Sequence, residues 1–199
     1  ALAIAKKNPE NNSELIGEIL YKLGDNTTDS GDIENGEKLL NESIAILEQS
    51  NSNSEILANA YNAFAQNRNM AGNYSEANQL YEQTLKIIES IYSDNHPEYA
   101  EILGNYAMNL DDLGKYPEAE RSHRKALAVF EQHYLEKQDN IAITSNNLGI
   151  NLQDQGKHEE AILFLESALE ITKLLYPGDS EGTATTIFNL AVGYYRLEN

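Results

Sequence analysis

The sequence predicts an all-α fold, an array of stacked antiparallel helix pairs, and three observations carry that expectation. First, a 42-residue echo runs through the chain: Gly72, Gly114 and Gly156 recur at that step, as do Ala77, Ala119 and Ala161, Leu85, Leu127 and Leu169, and Ile87, Val129 and Ile171. Self-similarity at a fixed period of this length marks a repeat architecture. Second, apolar residues inside each copy follow the 3.6-residue period of an amphipathic helix. Third, each recurring glycine falls where one helical run stops, the place of a helix-terminal glycine.

The elements follow in order from that register. With one 41-residue step it reaches back to Gly31, Ile44 and Ile46, and 42 residues earlier to Leu2 and Ile4, so residues 1–7 read as the end of a second helix. The first complete pair spans 13–50 and is the least regular, with Gly36 in the small-residue column and a polar turn region, DNTTDSGDIENG. The second pair spans 54–92 and carries Gly72 and Ala77 on the template.

The third pair, at 97–137, shows the unit most clearly. Ile102, Leu103, Tyr106, Ala107, Leu110 and Leu113 form an apolar helical stripe, which Gly114 ends. A second helix begins near Pro117, where a missing N–H costs nothing, and its buried face reads Ala119, Ser122, His123, Ala126, Leu127, Val129 and Phe130. The preceding loop, SDNHPEYA at 93–100, offers Asp94 or Asn95 as N-cap and Pro97 for the first turn, with His96 in a structural role. The fourth pair spans 141–176, and a further first helix spans 182–197 with Ile187, Leu190, Ala191, Tyr194 and Leu197 as its apolar residues.

Ala65, Ala107, Gly149 and Ala191 form a small column on the first helices that matches Ala77, Ala119 and Ala161 on the second, so the two helices of a pair can approach closely. One hairpin cannot bury its apolar face alone, and stacking supplies a continuous core. The register places 1–199 in a single array that starts and ends in mid-repeat and lacks an initiator Met. The expectation is a section of a longer protein, with one end uncapped and its terminal helix exposed for self-association.

Composition narrows the function. The chain has 199 residues, 41% hydrophobic and 23% charged, the balance of a protein with a sizeable core. It has no cysteine, so packing must stabilise it, and an intracellular, cytoplasmic setting is expected. No apolar run approaches the ~20 residues of a membrane helix. The formal charge of −18 repels phosphate backbones and anionic lipids, which argues against nucleic acid and membrane partners.

The segments GNYAMNLDDLGKYPEAERSHRKALAVF (104–130) and SNNLGINLQDQGKHEEAILFLESALEI (145–171) resemble the tetratricopeptide repeat, and specifically its kinesin-light-chain-type form with two longer helices. The eight residues beyond the 34-residue form amount to roughly two helical turns. DNHPEYA resembles the linker of that class, and the resemblance, which extends to bacterial arrays, covers nearly the whole chain. It implies a right-handed α-α superhelix, a solenoid whose first helices line a concave surface that binds peptides or partner proteins. It also implies attached catalytic or regulatory domains in some relatives.

Two asparagine columns lie on the first helices. Asn105, Asn147 and Asn189 form one, with Ala63 and Lys22 at the earlier equivalents; Asn26, Asn67, Asn109 and Asn151 form the other, four residues later and hence on the same helical face. Asparagine in a helix costs up to ~0.7 kcal/mol relative to alanine, so its recurrence calls for a compensating gain. An amide both donates and accepts, and can hold the backbone of an extended peptide without reading its sequence. The resemblance supports that role; the competing reading is bonding between neighbouring helices of the stack.

Around these columns the expected inner face carries Asn62, Gln66, Glu101, Met108, Asp112, Asn146, Ile150 and Asp154, with Arg68, Lys22 and Arg196 as isolated solvent-facing charges. That pattern fits neutral or basic extended segments rather than an acidic peptide or a clamped C-terminal carboxylate. No catalytic or metal site is expected: His96, His123, His133 and His158 are scattered, and the acidic pairs Asp111–Asp112 and Glu159–Glu160 read as solvated faces. Single turn glycines form no phosphate-cradling loop. The tyrosines, Tyr61, Tyr74, Tyr81, Tyr106 and Tyr116 among them, read as packing. The expected function is a non-catalytic interaction module without cofactor, set against a structural spacer or self-associating array and against the regulatory arm of a larger bacterial enzyme or sensor.

Overall fold

The computed structural model describes residues 9–50, 54–133, 137–178 and 181–198. The helix end expected at 1–7 lies outside the described residues. Among them are nine helices and no strand: α1 (Pro9–Asp29), α2 (Ile33–Gln49), α3 (Glu55–Met70), α4 (Tyr74–Tyr92), α5 (Pro97–Asp112), α6 (Tyr116–Gln132), α7 (Gln138–Asp154), α8 (His158–Leu175) and α9 (Glu181–Glu198). The fold class is all-α, with the helices following one another as antiparallel pairs within each unit. The helices group into two compact units, Ala1–Ser93 with α1 to α4 and Asp94–Asn199 with α5 to α9.

The glycine column marks one repeated backbone device. At the α5–α6 turn Gly114 (φ 70°) donates to the Asp111 carbonyl at 2.8 Å and Lys115 to the Leu110 carbonyl at 2.8 Å. These are the paired bonds that close a helix through a left-handed residue. The α7–α8 turn repeats them, with Gly156 (φ 75°) donating to Gln153 and Lys157 to Leu152. The helical run from Pro9 breaks at Asn12 (φ −129°, ψ 15°), so the uninterrupted part of α1 starts at Ser13. One helix start differs in its cap. The N-cap of α5 is His96, whose Nδ1 accepts from the Glu98 N–H at 3.3 Å, while Asp94 instead pairs with Lys125 at 2.8 Å.

In the first unit α1 packs against α2 and α3, and the core joins Leu40, Ile44 and Leu47 of α2 to Leu57, Ala60, Ala63 and Phe64 of α3. In the second unit the core is built from Ala107, Leu110, Ala119, Ala126, Leu127, Phe130, Leu148, Leu152, Ala161, Leu165 and Ala168, all buried. Small faces small inside a pair: a Cβ on Gly149 would sit 2.6 Å from Leu165 Cγ and 3.2 Å from the Ala161 carbonyl. α9 packs on α7 and α8 through Thr183, Thr186 and Gly193. Its apolar residues Ile187, Phe188, Tyr194, Tyr195 and Leu197 are exposed, as is Ala191 of the small column.

Candidate functional site

The six candidate asparagines fall into two structural groups. Asn67, Asn109 and Asn151 have 0%, 0% and 1% of their surface exposed. The Asn67 amide donates to Thr28 Oγ1 and to the Ile33 carbonyl, both at 2.9 Å, and its oxygen accepts from the Arg68 guanidinium at 2.6 Å. Asn151 donates to the Tyr116 carbonyl at 3.0 Å and to Asp111 Oδ1, and accepts from Gln155 at 2.7 Å. Asn67 and Asn151 therefore each spend both amide hydrogens on the preceding helix pair, at the first turn of its second helix and near the end of its first. Asn26, their counterpart in the first pair, is exposed and bonds its own helix at the Lys22 carbonyl.

Asn105, Asn147 and Asn189 are only half-buried. Asn105 and Asn147 line one depression of about 220 Å³, whose walls come from α5 (Glu101, Gly104, Met108) and α7 (Ile143, Thr144) and whose floor includes His123 and Phe130 of α6. A larger depression of about 500 Å³ opens on the other side of Ile143, between α7 and α9. Asn146 lines it and ties the two helices together: its Oδ1 accepts from Asn189 at 3.0 Å, while its amide donates toward Asn147 Oδ1 at 3.5 Å. Gln153 adds a bond to the Asn189 carbonyl at 2.8 Å.

The floor of the smaller depression carries a polar relay. Asp111 receives Asn151 on one carboxylate oxygen and lies 3.0 Å from His123 Nε2 on the other. A carboxylate only accepts, so Nε2 donates to it, which leaves Nδ1 as the other polar atom of the ring. That nitrogen is buried with no hydrogen-bond partner among the described residues.

Charges around the groove are mostly paired. Glu101 binds Lys137 at 2.6 Å and Asp154 binds Arg196 at 3.3 Å. Arg196 and Lys22 lie at the surface but are not isolated, since Lys22 pairs with Glu18 at 2.6 Å as Arg196 does with Asp154; Arg68 is not at the surface. It is 6% exposed, pairs with Glu37 at 2.7 Å and lies 5.2 Å from the Phe64 ring centroid. The neighbouring Asn67 oxygen and the ring give the guanidinium a buried seat that period alone does not reveal. Glu120 ties α6 to the next pair through Lys157 at 2.6 Å and Gln155 at 2.8 Å, besides Arg124 of its own helix. Burial pushes the Glu120 carboxyl up, but the hydrogen bonds from Lys157, Gln155 and Arg124 outweigh it and hold the group at about 2.

Sequence reasoning passed over Ile143, Asp139, Tyr176 and Thr185, which shape the larger depression. The one available signal was Ile143, an apolar residue that the structure leaves 60% exposed on an otherwise amphipathic helix.

The family model described as Tetratricopeptide repeat matches residues 15–90, 79–132 and 140–199. No curated protein matches the chain. Among solved structures the chain is similar to BtubC (BKLC) from P. vanneervenii, at 23% identity and TM-score 0.84 over 100% of this chain and 80% of that one. It is also similar to a putative kinesin light chain with nearly identical TPR-like repeats from Podosopora anserina, at 18% identity and TM-score 0.77 over 90% and 85%. A third likeness is to a Signal Transduction ATPase with Numerous Domains from Pyrococcus horikoshii that has a tetratricopeptide repeat sensor, at 18% identity and TM-score 0.79 over 92% of this chain and 28% of that one.

Proposed function

The chain belongs to the tetratricopeptide-repeat family, and from that premise we propose that it binds an extended polypeptide segment, neutral or basic, along its first helices, with Asn105, Asn147 and Asn189 as contacting amides. Tetratricopeptide repeats generally mediate protein–protein interaction. The observation that carries the finer reading is the division of the asparagines. Asn105 and Asn147 are half-buried in one depression, whereas Asn67, Asn109 and Asn151 are buried. We assign the buried Asn67 and Asn151 to holding helix pairs together, and the half-buried three to the ligand.

Charge supports the choice of ligand. The chain carries −18, and the cations Lys137 and Arg196 are already engaged by Glu101 and Asp154 of the first helices. An acidic segment would meet repulsion, while a neutral or basic one would be drawn in.

Peptides selected from a random display library against the chain test the reading. The double variant Asn105→Ala with Asn147→Ala is expected to weaken them at least about tenfold, the loss of two well-placed hydrogen bonds. Its circular dichroism should be unchanged. Asn151→Ala, by contrast, should lower the melting temperature. Unchanged affinity in the double variant would remove the half-buried amides from the ligand site.

A second reading, self-association through α9, is favoured by the exposure of Phe188 (67%) and Tyr195 (69%) on one helix. Sedimentation velocity over a wide concentration range decides it, since a constant monomer coefficient excludes self-association.

A further inference from the structure

The depression between α7 and α9 has a composition unlike the rest of the groove. Its volume is about 500 Å³, more than twice that of the neighbouring one, and its lining is mainly hydrocarbon: Ala142, Ile143, Gly182 and the methyl groups of Thr172, Thr185 and Thr186. The polar capacity of these threonines is partly used inside the helices, because Thr172 donates to the Ala168 carbonyl at 2.8 Å and Thr186 to the Gly182 carbonyl at 2.9 Å. Asn146 spends its oxygen on Asn189. What remains facing the space is apolar surface, and such surface gains about 25 cal/mol for every Å² removed from water.

One group at the mouth is different. Asp139 is exposed and accepts from the Tyr176 hydroxyl at 2.7 Å. That bond fixes the carboxylate at the edge of the depression but leaves its charge uncompensated, because no ion pair to Asp139 exists among the described residues. The acids Glu101 and Asp154 of the first helices, by contrast, each hold a cation.

We propose that this depression is an anchor socket, which takes one aliphatic or aromatic side chain of the bound polypeptide while a lysine or arginine next to it pairs with Asp139. The proposal rests on the peptide-binding reading above and adds to it a recognition rule: an apolar residue beside a basic one. Ile143 belongs to both depressions, so a segment seated in the socket continues across that residue toward Asn147 and Asn105 without leaving the surface. The amides supply tolerance of backbone sequence, and the socket supplies selection. A pocket that discriminates by apolar volume alone yields about 10- to 200-fold preference, and an exposed ion pair adds a few-fold more.

Display of random dodecapeptides on the intact chain tests this directly. Enriched sequences are expected to share an apolar residue adjacent to Lys or Arg. For a synthetic enriched peptide, fluorescence anisotropy should show about tenfold weaker binding to Thr185→Trp, which fills the socket from an exposed position. Asp139→Asn should weaken it about threefold, with the difference vanishing at high salt. Replacing the apolar residue of the peptide by serine should reproduce the loss in the wild-type chain. If enriched peptides lack the apolar-basic pair, or bind Thr185→Trp as well as wild type yet lose affinity in the Asn105→Ala, Asn147→Ala variant, the socket is overturned and the groove stands. If no peptide is enriched over an unloaded support, the socket and the groove reading fall together.

Discussion

Asn147 and Asn151 stand one turn apart on α7, yet the first is half-buried beside a depression and the second spends both amide hydrogens on the preceding helix pair. What separates them is what the neighbouring pair presents at each place: a gap in one case, a first-turn carbonyl and a carboxylate in the other. The glycines divide in the same way. Gly114 is glycine for its backbone, since at φ 70° a side chain is strained although nothing lies within 4 Å of its Cβ position. Gly149 is glycine for its neighbours, Leu165 and the Ala161 carbonyl. Gly114→Ala should therefore cost about 1–2 kcal/mol through the left-handed conformation. Gly149→Ala should cost up to about 3 kcal/mol through overpacking, unless Leu165 is shortened with it. Urea unfolding of Gly149→Ala with and without Leu165→Ala separates the causes: rescue by the second substitution identifies crowding, and its absence refutes it.

Between elements, polar links reinforce apolar packing at the same seams. Glu120 on α6 holds Lys157 in the α7–α8 turn, and its helix neighbour Arg124 reaches Glu160 on α8 at 2.6 Å. The Glu120 carboxyl falls from 4.5 to about 2 on folding, so its contribution is complete above about pH 4.5 and disappears as the pH drops through about 2. Glu120→Gln is expected to lose about 1 kcal/mol at pH 7, allowing for solvent screening of a surface network. Denaturant midpoints measured at pH 7, 4 and 3 should show the gap between variant and wild type closing as the pH falls. A gap that stays constant would show that the charge of Glu120 is not what links the elements.

Across the chain as a whole, the charge of −18 opposes compaction while the pairs at Glu101, Glu120 and Asp154 act in the other direction. Both are screened, since the Debye length shrinks from about 10 Å at 0.1 M salt to about 3 Å at 1 M. With 32 acidic against 14 basic residues, repulsion has many more terms than attraction. Raising sodium chloride toward about 1 M should accordingly raise the melting temperature. A lower melting temperature in salt would mean that the inter-helix ion pairs dominate.

The architecture was legible because every repeat meets the same neighbours. A residue such as Ala119 or Gly156 is constrained by its own hairpin, and the constraint recurs at 42 residues in plain view. Helix starts were less legible, because capping depends on single side-chain geometries: His96 takes the N-cap of α5 that Asp94 and Asn95 were equally able to fill. The residues lining the depressions depend on distances between helices, which no period encodes. Periodicity could place Asn105, Asn109, Asn147 and Asn151 on one helical face, but it could not divide them, since burial follows from what the adjacent hairpin brings up against each one. Nor could it find Arg68 buried on Phe64, or Asp139 at the mouth of an apolar hollow. Local chemistry specifies the repeat; the packing of one repeat on the next decides which of its polar groups are spent on the stack and which still face outward.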